Sequence, residues 1–261
     1  QVPDGLESTH ANILQHPLQQ MMIHQTLPLI DIQAAGTNHF TWILSIHHKQ
    51  TGEDLYPLLR KRFFELDEKF EPLTRRIFLD FNLFPVPGDT HLCEYLPWMS
   101  DPITKPYESF NIQLYDWEVM ASVRDFSLDR LNDMANGSAT IDGLLDTDSE
   151  GALELIENIA YAGNHYHLAA NLPNLGQIEN LPKNAIVETP VHIGGAGIQP
   201  VHVGKLPEPI AELCRREITV AQLCVDAAVE GDYQKALQCL LLDPVITDMN
   251  TAKNILDDYL K

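Results

Sequence analysis

Positive charge is scarce in this chain. Seventeen lysines and arginines stand against 37 aspartates and glutamates, giving a formal net charge of −20 at pH 7. A surface of that sign repels phosphate backbones and anionic headgroups, which argues against nucleic acid and membranes as partners. Long apolar runs are missing too. No stretch approaches the roughly 18 residues that a membrane span needs, and the opening "QVPDGLESTH" lacks the basic and apolar regions of a secretory signal. A cytoplasmic location is expected. Cysteine is sparse: Cys93, Cys214, Cys224 and Cys239 contain no CxxC pair. They read as reduced, mostly buried thiols rather than a disulfide framework or a zinc cluster. HExxH and GxGxxG are also absent, and "GGAGIQP" at 194–200 reads as a strand-connecting turn rather than a dinucleotide loop.

What is present suits one large domain or two small ones: 261 residues, 44% of them hydrophobic. In "AAGTNHFTWILSI" (34–46) the alternation of Phe40, Trp42, Leu44 and Ile46 predicts a strand, opened by a flexible Gly36, an amide and an imidazole. Further strands are expected at 166–173 and 185–193. Helical spacing marks 54–70, with Pro57 in its first turn, then 75–85, 113–135 and 149–162, the last with a capping box at Ser149 and an end at Gly163. The C-terminal third predicts helices over 207–229, 231–242 and 250–260. Residues 13–23 have helical character broken at Pro17. Many helices with few strands, and no βαβ repeat, predict an α+β domain. Its small mixed or antiparallel sheet is packed with many helices.

Three segments concentrate functional groups. Asn38 and His39 sit at a strand start, which reads either as a turn with His39 a core histidine or as two residues facing a site; an imidazole is a common metal ligand, but one His cannot hold a metal alone. "GDTHLCEYLP" carries Asp89, His91, Glu94 and Tyr95, any of which can act as acid, base or ligand; Asp89 can equally be an N-cap. "NHYHLAANLPN" places His165, Tyr166, His167, Asn171 and Asn174 around a strand, where amides and imidazoles suit sugar hydroxyls and turns alike.

Taken in order, "GTNHFTW", "PGDTHLCEYLP", "NLPNLGQIENLP", "AIVETPV", "VGKLPEPIAEL" and "VDAAVEGDYQKALQCLLLDP" resemble the C-terminal half of the family 4 glycoside hydrolases. The similarity runs from about residue 31 to the end, with 1–30 as a poorly matched lead-in. It is stronger to the α-galacturonidase and α-glucosidase branch than to the phospho-glycosidases. The resemblance implies a glycosidase that uses NAD and Mn2+. Hydride leaves sugar C3, a base removes the C2 proton, the glycosidic oxygen is eliminated, and water and hydride then add back. It implies His39 as metal ligand, Asp89 as base, and Asn38, His91 and Asn171 as substrate-binding groups, with Glu94 holding His91. A small carbohydrate, an α-galacturonide or related α-glycoside, is the expected substrate. A homo-oligomer is the expected assembly. The N-terminal Rossmann half and the family's metal-binding cysteine motif are not found in these residues, and Cys93 does not replace that cysteine. NAD is therefore not expected to bind this chain alone. The alternative is an inactive remnant that persists as a folded, oligomeric domain.

Overall fold

The computed structural model describes residues 29–114, 116–142 and 151–260. They divide into two compact units. One takes in the residues through Ile112 together with Tyr166–His192 and the chain from Gln199 onward; the other comprises Gln113–His165 and Ile193–Ile198. The chain is α+β, with a six-stranded sheet and eight α-helices among the described residues. No helix among them is long and apolar enough to cross a membrane.

The sheet centres on a hairpin. Strands β1 (Ile30–Thr37) and β2 (Phe40–His48) pair antiparallel and are joined by only Asn38 and His39. The segment 34–46, expected as one strand, is thus the end of one strand and most of another. Gly36 is not a turn residue either. It lies within β1, opposite Thr41, where a Cβ would stand 2.2 Å from the Phe40 carbonyl oxygen. Outward from the hairpin lie β3 (Phe84–Pro85) beside β2, and β5 (Ile186–Gly194) beside β1; β4 (Asn164–Pro173) and β6 (Gly197–Pro200) pair with β5. The glycine-rich 194–200 segment forms the β5–β6 connection, as its sequence predicts.

The alternation expected along β2 breaks at Leu44. Ser45 pairs with Gln33 but Ile43 pairs with Ala34, so Leu44 is an extra residue, a β-bulge. Phe40 and Trp42 therefore enter one core cluster, with Leu92, Leu96, Val187 and Ile210, while Ile43 and Ile46 together enter another, with Leu59, Phe63, Phe78 and Phe84. The second cluster packs beneath helices α1 (Tyr56–Glu65) and α2 (Pro72–Phe81), both opened by a proline in the first turn. Tyr56 ties it to the sheet: its hydroxyl donates to the Ile43 carbonyl at 2.9 Å and accepts from the Phe84 N–H at 2.8 Å. Helix α3 (Asp89–Tyr95) packs on β2 in the first cluster. The C-terminal helices are α6 (Glu208–Glu230), α7 (Tyr233–Leu242) and α8 (Met249–Tyr259), close to their predicted spans.

In the second unit, α4 (Trp117–Ala135) starts later than its pattern suggests because Asp116 caps it, accepting from the N–H groups of Glu118 and Val119 at 3.0 and 3.1 Å. Helix α5 (Ala152–Ala160) ends before Gly163. The capping box at Ser149, the helical 13–23 segment and nearly all of the 1–30 lead-in lie outside the described residues.

The hairpin's close approach is directly testable. Gly36→Ala is expected to lower the unfolding free energy by about 1–3 kcal/mol, because the methyl meets rigid backbone that cannot yield as a side chain would. Urea denaturation of the variant against the parent chain measures it; an unchanged midpoint contradicts the contact.

Candidate functional site

The two-residue link of the hairpin fixes the site. With so short a connection one residue must take a left-handed backbone, and His39 does, at φ 59°. Both Asn38 and His39 are exposed. Strand β5 pairs with β1 so that Glu188 stands opposite Gly36, close to the same end of the sheet. The Glu188 carboxylate lies near enough to His39 to interact with both its backbone and its ring. From β4, the Asn171 amide donates to Asn38 Oδ1 at 2.9 Å and to Glu188 Oε2 at 3.3 Å. Burial raises the Glu188 carboxyl above its ordinary value, while the Asn171 amide and His39 pull it back.

Helix α3 supplies the opposite wall. Residues three and four apart share a helix face, so His91, Glu94 and Tyr95 form one side and Asp89, Leu92 and Cys93 the other. The first side meets the hairpin. The His91 ring lies 5.4 Å from that of His39, and Tyr95 stacks on Phe40 at 5.0 Å. His91 Nδ1 is 3.3 Å from Glu94 Oε2, and this bond raises the imidazole above its usual value against the opposing effect of burial.

The second side is buried, and Asp89 with it. Its two carboxylate oxygens accept the N–H groups of Leu73 and Thr74 at 2.8 and 2.7 Å, two of the free donors at the start of α2. Asp89 therefore caps a neighbouring helix, a third role beside the base and the cap of its own helix that the sequence left open. Its own N–H donates to Glu71 Oε2 at 2.6 Å. Of the predicted site residues, Asn38, His39, His91 and Asn171 converge on one place, with Glu94 as the partner of His91. Asp89 stands on the far face of α3.

The chain matches the family described as "Family 4 glycosyl hydrolase C-terminal domain" over residues 34–246. It belongs to that family. An α-galacturonidase of Thermoanaerobacterium saccharolyticum is 26% identical, the match covering 89% of this chain and 53% of the relative. A maltose-6'-phosphate glucosidase of Fusobacterium mortiferum is 27% identical over 100% of this chain and 59% of its own length. The chain thus spans about half the length of the curated relatives it matches, and these identities do not favour the non-phosphorylated branch. Among solved structures, a 6-phospho-α-glucosidase from gut microorganisms in complex with NAD and Mn2+ superposes with a TM-score of 0.70 at 24% identity, covering 95% of this chain and 58% of that one.

Two features of this family 4 domain escaped sequence reasoning. Glu188 sits in "AIVETPV", whose spacing marks only a buried strand; what makes it part of the site is its pairing across from Gly36. Asn174, like Asn171, suits a sugar contact by its place after the strand. It is buried instead, and its amide donates to the carbonyls of Ile178, Leu181 and Pro182 at 2.9–3.1 Å, holding the β4–β5 loop. A shallow cleft beside α6, lined by Lys183, Asn184, Ile218 and Gln222 among others, contains none of the clustered residues and only one titratable group.

The donor set suits part of a metal site. An exposed imidazole on a turn, with Glu188 close to it, can offer a nitrogen to a divalent ion. The described residues do not gather a third His, Cys, Asp or Glu ligand around His39. Among the described residues, the glycine-rich 194–200 segment is a hairpin connection and not a loop opening a helix, so it is not a phosphate cradle of the dinucleotide-binding kind.

The Glu71–Asp89 pair predicts a pH dependence. Burial, followed by the Asp89 charge and its hydrogen bond, pushes the Glu71 carboxyl up from 4.5 to about 8. The folded chain therefore keeps a proton that the unfolded chain releases near 4.5. The stability this provides is fully present below 4.5 and is lost as pH rises through about 8. Glu71→Gln is expected to flatten that decline: the difference in unfolding free energy between variant and parent grows in the variant's favour from pH 5 to 9. Parallel curves contradict the shared proton. Separately, Glu94→Gln is expected to lower the His91 pKa, read from its imidazole NMR shifts against pH; an unmoved titration means the pair does not form in solution.

Proposed function

We propose that the protein to which this domain belongs hydrolyses O-glycosidic bonds. The carrying observation is the convergence of His39, His91, Asn38, Asn171 and Glu188 at one end of the sheet, on a domain of the family 4 fold. Bound NAD and Mn2+, both present in the related 6-phospho-α-glucosidase structure, would supply hydride exchange at sugar C3 and charge stabilisation at the neighbouring oxygens. The α-galacturonide or related α-glycoside remains the substrate reading, and a homo-oligomer the assembly.

This chain's residues have separable tasks in that reading. His39 offers its imidazole to the metal, with Glu188 close to it. The amides of Asn38 and Asn171 both donate and accept, as sugar hydroxyls require. His91, its Nδ1 occupied by Glu94, presents Nε2 to substrate, where it can hold or pass a proton. Its raised pKa keeps a larger share of the ring protonated near neutral pH than an isolated histidine would have. Asp89, with both oxygens committed to α2, acts on the site indirectly. Freeing it to remove the C2 proton would strip the cap from a buried helix start, at a cost of about 1–2 kcal/mol.

The test uses the protein as its natural source produces it, supplied with NAD, Mn2+ and a panel of α-glycosides in deuterated water. His39→Ala is expected to lose on the order of 10²-fold or more in turnover and its Mn2+ dependence while melting as the parent does. Asp89→Asn is expected to retain turnover and C2 exchange but to melt lower, since one amide oxygen replaces two carboxylate acceptors. Lost exchange with unchanged melting in Asp89→Asn assigns the base role to Asp89 instead. The half-length match to the relatives motivates a second reading, a folded domain without activity. Absence of turnover with every glycoside, in a protein that binds both cofactors, favours that reading over hydrolysis.

A further inference from the structure

Helices α6 and α7 are joined by Gly231, in a left-handed conformation at φ 65°, and Asp232, which caps α7 through the N–H groups of Gln234 and Lys235. So tight a link folds the helices back on one another as an αα-hairpin, and they pack together. Cys224 and Cys239 stand at matching depths on either side of the link. The Cys239 sulfur lies 3.4 Å from the carbonyl oxygen of Val220, one helical turn before Cys224. The two thiols are near enough for Cys224 to act electrostatically on Cys239. Cys224 is exposed and Cys239 partly buried, whereas Cys93 and Cys214 are buried.

We propose that Cys224 and Cys239 form an oxidisable dithiol whose disulfide staples α6 to α7. The oxidant class is a peroxide. The exposed Cys224, as thiolate, attacks one peroxide oxygen; the O–O bond breaks, the departing oxygen leaves as water after taking up a proton, and Cys224 becomes a sulfenic acid. Cys239 then attacks that sulfur, the S–S bond forms, and the sulfenic oxygen leaves as a second water. Two thiols are oxidised by two electrons, and one hydrogen peroxide is reduced to two waters. Burial and the nearby charges of Cys224 and Asp243 hold the Cys239 thiol above its ordinary value, which suits it to the resolving step and leaves first attack to Cys224. The staple bears on the rest of the domain through α6. Its N-terminal part is fixed in the core by Ile210, Ala211 and Cys214, and the Cys214 thiol contacts the backbone of Thr37, the last residue of β1 before Asn38. Cross-linking the far part of α6 restrains the helix that backs the hairpin.

The experiment treats the full chain with hydrogen peroxide, blocks free thiols and maps cysteines by mass spectrometry. A 224–239 link within one chain, a mass lower by two hydrogens and reversal by dithiothreitol are expected. The linked form is expected to melt on the order of 5–10 °C higher, since closing a loop of about 15 residues restrains the unfolded chain. Cys224→Ser and Cys239→Ser should each abolish both the link and the rise. Cys224 oxidised to sulfinic acid with Cys239 free, a link between two chains, or a link through Cys93 or Cys214 would overturn the proposal. An intramolecular link that leaves melting unchanged or lowered would overturn the staple.

Discussion

The pairing of β1 with both of its neighbours is the constraint on which the site depends. On one side a two-residue link to β2 holds Asn38 and His39 at the sheet's end. On the other, the register opposite Gly36 sets Glu188 beside them. Because side chains alternate along a strand, a slip of one residue would turn Glu188 to the opposite face, away from Asn171 and His39. Gly36 protects that register from within, since a bulkier residue would force β1 away from the Phe40 carbonyl. The same few ångströms of backbone thus determine the fold and the position of the chemistry.

Helix α3 shows how a short element can serve two masters. Its seven residues carry five titratable side chains with quite different environments. His91, Glu94 and Tyr95 look toward the hairpin, where burial, with smaller contributions from the carboxylates of Glu217, Glu94 and Glu188, raises the Tyr95 hydroxyl to about 12. Asp89 and Cys93 look inward. The inward side makes the outward one possible: Asp89 anchors the start of α2, and Leu92, Cys93 and Leu96 bury against the same core as Phe40 and Trp42. Loss of Asp89 would therefore reach His91 through helix placement.

Much of this was legible in the sequence. The long C-terminal helices announced themselves through apolar spacing, and "NH", "THLCEY" and the first amide after "YHLAA" pointed to groups that do converge. What stayed hidden depends on partners distant in the chain. The β1 strand reads weakly because Gln33, Ala34, Ala35 and Gly36 have little strand character of their own and gain it from β2 and β5. The bulge at Leu44 has no local mark, since Leu44 fits the alternation that it breaks. Asp89 was hard to read for the opposite reason: a glycine before an acidic residue suits a pocket and a cap equally, and the hydrogen bonds to Leu73 and Thr74, more than a dozen residues upstream, leave no local mark.

Position 39 illustrates a conflict between folding and chemistry at a single torsion. A left-handed backbone is easy for glycine, tolerable for asparagine and less favourable for other side chains, by roughly 1 kcal/mol. By conformational preference alone, the turn would carry glycine. Histidine there at φ 59° means the chain gives up stability where it gains a ring nitrogen. Drift toward glycine at this residue would leave a sturdier hairpin with no side chain to offer a ligand. On the metal-ligand role proposed for His39, a lineage released from selection for activity should record the loss early at residue 39, well before the buried rings of Phe40 and Trp42 begin to change.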